Sequence, residues 1–176
     1  MGEKLDIFDQ NEEKTGESET DEHVHLNGLL HRTVHVWLVN SKKQILLQKR
    51  SKNKRIYPGC WDISAAGHIN SGETSLQAAT RETKEELGIS LPESAFKFLT
   101  TIKQPTIKYS DNFIDNEFND IYLVNRNFNM LKFILETNEV EEMKWVNKEE
   151  FERLINTRES TLAPHYKEYK ILLSQI

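Results

Sequence analysis

The stretch 67-GHINSGETSLQAATRETKEELGI-89 constrains this chain more than any other. Thr74 and Gln77 have the spacing of a capping box, so a helix starts there. Leu76, Ala79, Thr83 and Leu87 recur at helical spacing and give that helix an apolar stripe. Gly88 supplies its stop. Glu82, Glu85 and Glu86 stand at i, i+3 and i+4 and share another face, away from the stripe. Like charges so placed cost roughly a few tenths of a kcal/mol per close pair. A solvated face would tolerate them, with Arg81 and Lys84 as compensating partners. A hard-cation site would require them, because clustered carboxylates bind Mg2+ or Mn2+, which in turn hold phosphate oxygens.

The rest of the chain supplies strands to carry that helix. VHVWLV (34–39) and ILLQKR (45–50) are β-branched and aromatic runs either side of the turn NSKKQ (40–44), a hairpin pattern. CWDISAAG (60–67), FKFLTTIKQ (96–104), FNDIYLVNR (118–126) and EMKWV (142–146) read as extended. KEEFERLIN (148–156) and PHYKEYKILLSQI (164–176) read as helices. DIF (6–8) is a short strand ahead of a polar, acidic stretch, 10–22, that reads as an exposed loop. This order predicts a single α/β domain with a mixed β-sheet sandwiched between α-helices. A chain of 176 residues is long enough for one such core.

Composition narrows the function classes. The net charge of -5 argues against a nucleic-acid backbone as partner. No apolar run approaches a membrane span, and the charged start lacks the apolar core of a signal peptide, so a cytoplasmic address is expected. The single cysteine, Cys60, excludes an internal disulfide.

Gly67, Glu73, Arg81-Glu82, Glu85-Glu86, Gly88 and Ile89 together reproduce the spacing G-x5-E-x7-R-E-U-x-E-E-x-G-U, where U is a bulky apolar residue. The segment resembles the Nudix box, with Thr83 at the first U position as the one departure. The resemblance implies the Nudix fold and a divalent-metal-dependent hydrolase that cleaves a diphosphate linkage by attack of water. It implies that Glu82, Glu85 and Glu86, with the carbonyl of Gly67, hold Mg2+ or Mn2+. Glu73 and Arg81 would steady the loop and orient the glutamates. The proton acceptor is left between Glu82 and Glu117.

A second likeness runs wider. HRTVHVWLVN, ILLQKRSKNKRIYPG and CWDISAAGHI look like the branch of the superfamily that includes type I isopentenyl-diphosphate isomerase. That isomerase uses a cysteine just before a Gly-His pair. Here the pair is Gly67-His68 and the preceding residue is Ala66, which has no proton to give; Cys60 lies six residues earlier and does not match. The departure favours hydrolysis over isomerisation. The likeness also implies a second metal site at His25 (or His23), His31, His68, Asp115 and Glu117. Without it, 23-HVH-25 reads as a surface loop and His35 as a sheet residue that only packs. No chemistry is expected of His165.

The basic loop LLQKRSKNKRIYPG is either a solubilising surface or a phosphate-binding one; Lys49, Arg50 and Lys54 are its candidates for substrate contact. Trp61 and Tyr57 would line the pocket or join the core. The expected domain plan is an N-terminal extension (1–27), the Nudix domain (28–160) and a C-terminal helix packed on it (161–176). The expected partner is a small-molecule diphosphate, a nucleoside diphosphate derivative or an organic diphosphate, with no nucleic acid and no membrane. Whether the N-terminal segment adds a strand or joins a homodimer interface is left open. An isomerase-like enzyme and a non-catalytic Nudix-fold binding or regulatory protein are the alternatives.

Overall fold

The computed structural model describes residues 2–176. Its main sheet has seven strands. Five of them run in the order β11 (Val140–Val146), β4 (Ile45–Arg50), β3 (His31–Val39), β10 (Glu117–Asn125), β7 (Lys97–Lys103). Two short strands complete it: β5 (Trp61–Asp62) pairs β4 and β6 (Ala65–His68) pairs β3. The β3–β10 pair is parallel and the others are antiparallel, so the sheet is mixed, as expected. Both central strands are buried on both faces, and their later halves, VWLV (36–39) and IYLV (121–124), read as apolar runs.

The expected hairpin of β3 and β4 holds at one point only. The two strands pair at Val39↔Ile45 and then part. Beyond the split, β6 takes the vacated edge of β3 at Thr33–Val36, and β5 takes that of β4 at Gln48 and Lys49. The sheet is therefore forked, and the fork is where the charged helix meets it.

Helix α2 (Ser75–Leu87) begins at the expected capping box. It ends at Gly88, whose φ of 70° and approach to Ile134 leave no room for a Cβ. Ala78, Ala79 and Leu87 pack on Val34, Val36, Leu38 and Val124, on one face of the sheet. On the other face, α3 (Lys148–Asn156) and α4 (Tyr166–Gln175) bring Phe151, Leu154, Tyr169 and Leu172 onto Trp37, Ile45, Leu47 and Ile121. The sandwich is complete, and none of the described helices is long and apolar enough to cross a membrane.

The stretch 10–22 corrects the loop expectation. β1 (Lys4–Phe8) pairs with β2 (Lys14–Thr20), and α1 (Asp21–Asn27) follows at once. β2 is nearly all exposed, so it carries no apolar alternation to betray a strand. Thr20 caps α1 by accepting from the His23 amide at 3.3 Å, with Asp21 and Glu22 in the first turn. The segment 23-HVH-25 is thus helical, and His25 is buried. The hairpin grips the loop ahead of α2: the Ser71 amide donates to Lys4 O at 2.7 Å, and Asp6 accepts from Ser71 Oγ at 2.6 Å. A second hairpin, β8 (Ile107–Ser110) with β9 (Phe113–Asp115), fills the stretch that sequence left unread.

Candidate active site

Arg81 organises the base of α2. It donates to both oxygens of Glu73 (3.0 and 2.9 Å), to His68 O (2.8 Å), to Glu82 (2.5 Å) and to Glu85 (3.1 Å). Glu73 also accepts from the Asn70 amide at 3.1 Å, which closes the loop. The three glutamates expected on one helix face divide. Glu85 is exposed, whereas Glu82 and Glu86 are buried. The fork is the reason. Glu86 enters it and accepts from Gln48 of β4 and from the Ala66 amide of β6, both at 3.1 Å. Glu82 lies against Gly67, where a Cβ would come within 2.2 Å of the carboxylate. Gly67 is therefore required for close approach. Burial and the Glu82 charge push the Glu86 carboxyl up to about 8. Burial raises that of Glu82 too, against the pull of Arg81.

Histidines and acids from five elements converge on the other side of β6. His25 of α1, His31 of β3 and His68 of β6 have ring centroids 5.0 to 5.3 Å apart. Parallel register puts Glu117 opposite His31, with the two side chains 3.8 Å apart, and β9 delivers Asp115 beside them. One ligand atom from each of His25, His31 and His68 fits within 4.8 Å of the others, and so does the set His31, Asp115 and Glu117. His31 donates Nδ1–H to Leu29 O at 3.0 Å, which leaves its Nε2 lone pair facing the cluster. That Nε2 and Asp115 Oδ1 are buried without a hydrogen-bond partner. Burial, with His68 nearby, lowers His31 to about 4, so it is neutral. Burial and Glu117 push Asp115 up, while the charge on His35 and a hydrogen bond from Asn119 hold Glu117 down despite burial.

This cluster opens into a cleft of about 490 Å3 that includes Ala66, Gly67, Arg50, Lys54, Tyr57 and Tyr109 in its walls. Of the basic candidates, Arg50 braces Asp62 (3.1 Å) and Ile56 O (2.9 Å), and Lys54 pairs with Glu139. Lys49 is misplaced by the sequence reading: strand alternation turns it away from Gln48, toward Glu141 and Glu142 at 3.7 and 3.9 Å. Arg55, not singled out before, lies over the Phe113 ring at 5.4 Å on the cleft wall. Phe113 in turn stacks on His25 at 4.4 Å, and Tyr109 donates to Tyr57 Oη at 3.2 Å. Tyr57 lines the cleft, whereas Trp61 packs at the edge of the core under Lys144.

At the far end, the histidines read from sequence as a sheet residue and as one without chemistry both have acidic partners. His35 bonds Glu168 of α4 at 2.8 Å, and His165 bonds Asp62 at 3.1 Å. Both histidines line the cleft. Their signal was only that α4 begins beside a histidine and carries an acid on its buried face.

A family model described as NUDIX domain matches residues 29–169. Nudix hydrolase 3 of Arabidopsis thaliana is 42% identical over 166 residues, which span 93% of this chain and 22% of that protein. The chain thus corresponds to less than a quarter of that relative. Isopentenyl-diphosphate Delta-isomerase 1 of Bos taurus is 34% identical over 173 residues, 88% of this chain and 74% of the isomerase. The crystal structure of DR0079 from Deinococcus radiodurans superposes with a TM-score of 0.73 at 22% identity, over 96% of this chain and 98% of that one.

Proposed function

This chain belongs to the NUDIX domain family, as a Nudix hydrolase of the branch that also holds isopentenyl-diphosphate isomerases, and we propose that it cleaves a diphosphate linkage in a small molecule with the help of a divalent cation. One observation carries the reading. A neutral His31 Nε2 and an Asp115 oxygen, both buried and unpartnered, face Glu117 in the cluster that opens into the cleft lined by Gly67. Unsatisfied buried acceptors are costly unless something binds them.

The donor set fits Mg2+ or Mn2+. By the family resemblance Glu82, Glu85, Glu86 and the Gly67 carbonyl would hold one ion, although among the described residues these carboxylates do not form a set whose oxygens all lie within 4.8 Å of one another. His25, His31, His68, Asp115 and Glu117 would hold a second. A bound cation neutralises phosphate charge and lowers the pKa of the attacking water. The carboxyls of Glu86 and Asp115, raised by burial, would ionise beside it. Arg81 keeps Glu82 oriented from behind. Lys54 and Arg55, on the cleft wall, meet the phosphate oxygens. Glu117 accepts the proton of the attacking water: its carboxylate is ionised and borders the cleft, whereas Glu82 is tied to Arg81 and screened by Gly67. An isomerase would need a proton donor where Ala66 stands on the cleft wall.

The test is product analysis with Mg2+ or Mn2+ and a panel of nucleoside di- and triphosphates, dinucleotides, nucleotide sugars and isoprenyl diphosphates. Cation-dependent release of phosphate or a nucleoside monophosphate, lost in folded Glu86→Gln, is expected. Isomer exchange without phosphate release would contradict the reading.

A further inference from the structure

The cleft floor beyond the histidine–acid cluster is built from groups that a hydrocarbon cannot satisfy. Along β3, alternation puts His31, Thr33 and His35 on one face. Across from them on β6, Ala66 stands opposite His35 and His68 opposite Thr33. At about 3.3 Å per residue, His35 lies roughly 13 Å along the floor from His31, and the imidazole beside it is His165 rather than the first three.

Glu168 fixes His35 from behind. Its Oε2 takes His35 Nδ1–H at 2.8 Å and its Oε1 takes Trp37 Nε1–H at 2.5 Å, with no part of the residue exposed. With Nδ1 so occupied, Nε2 is the polar atom that the ring offers to the cleft it lines. Burial alone would lower the imidazole, but the Glu168 charge overrides it and raises His35 to about 9, so Nε2 carries a proton at neutral pH. His165 stands beside it, ring centroids 5.3 Å apart, tied to Asp62. Gln104 and Thr33 add polar wall through Asn119, which bonds both (2.5 and 2.6 Å).

We propose that His35, positioned by Glu168, contacts the substrate and selects diphosphates whose organic half carries a hydrogen-bond acceptor, such as a hydroxylated or sugar group, over those of a hydrocarbon chain. This rests on the diphosphate-hydrolase reading and adds a substrate class to it. A purely packing role does not account for the arrangement. A buried ion pair can be exchanged for apolar residues at little or no cost in stability, yet here the pair is kept where the core opens onto the cleft. An isoprenyl chain seated on His35 would strip its water and return no hydrogen bond. Sites built to hydrogen-bond a hydroxyl reject the analogue lacking it by about 10^4-fold or more.

The experiment compares kcat/KM of the intact chain, with Mg2+ or Mn2+, for dimethylallyl diphosphate, its ω-hydroxylated analogue and UDP-glucose. The wild type is expected to favour at least one of the hydroxylated substrates by about 100-fold or more. His35→Leu should lower that preference at least about tenfold, and Glu168→Gln should weaken the same substrate mainly through KM. The wild-type ratio needs no variant to fold. A ratio of one or less overturns the substrate class while leaving the hydrolase reading standing. A high ratio unchanged in folded His35→Leu overturns the role of His35. Absence of hydrolysis of any of these or of the wider panel overturns both.

Discussion

His31 and His35 sit four residues apart on one face of a strand, His35 lining the cleft and His31 buried within the cluster that opens into it, yet their surroundings set them to opposite states. His31 leans on a backbone carbonyl, meets two other imidazoles, and is driven down to about 4 by burial. His35 meets a buried carboxylate that outweighs burial and lifts it to about 9. A neutral imidazole with a spare lone pair is a metal ligand; an imidazolium with a free N–H is an anchor for an acceptor. The residue type is the same, and the partner behind the ring decides what the front of it does.

The comparison breaks first at the carboxylate. Glu168→Ala strands the His35 charge and the Trp37 N–H in the interior, and about 3–5 kcal/mol of stability should be lost in urea unfolding. A loss under about 1 kcal/mol would mean that the pair holds nothing. The two rings should also split the pH dependence of stability. His35, raised in the fold, contributes up to roughly 3 kcal/mol that is fully present below its unfolded value near 6.5 and disappears as pH rises through 9. His31, lowered in the fold, costs stability as pH falls from about 6.5 toward 4. His35→Gln should flatten the alkaline limb in denaturation curves taken across pH and leave the acid limb; an unchanged alkaline limb would refute the His35 state. At the His31 end, Glu117→Gln should lower kcat at least about 100-fold with circular dichroism intact. Near-normal turnover would move the chemistry away from that cluster. Lys49→Ala, remote from both, should change kcat/KM less than about twofold, and a tenfold effect would return Lys49 to the cleft.

The two regions also differ in how far the sequence exposed them. The box helix was readable from its cap to its glycine stop, because capping, stripe and charge spacing all lie within a short local stretch. The central strands of the sheet were readable from their apolar halves, VWLV (36–39) and IYLV (121–124), which burial on both faces requires. The burial of Glu82 and Glu86 was not readable, since it depends on β3 and β4 parting after a single pair. The histidine–acid cluster was named through a family likeness, because its residues arrive from five separate elements. The pairing of His35 with Glu168 was not readable, because the two are 133 positions apart; His35 was read only as a sheet residue and His165 as one without chemistry. β2 escaped because an exposed polar strand has no apolar period.

A Mn2+ titration followed by electron paramagnetic resonance tests most directly where a cation binds. Saturable binding is predicted in the wild type, weakened about 10- to 100-fold or more in His31→Gln and little changed in His35→Gln. Absence of saturable binding in the folded wild type, or its loss in His35→Gln with His31→Gln unaffected, would contradict the assignment.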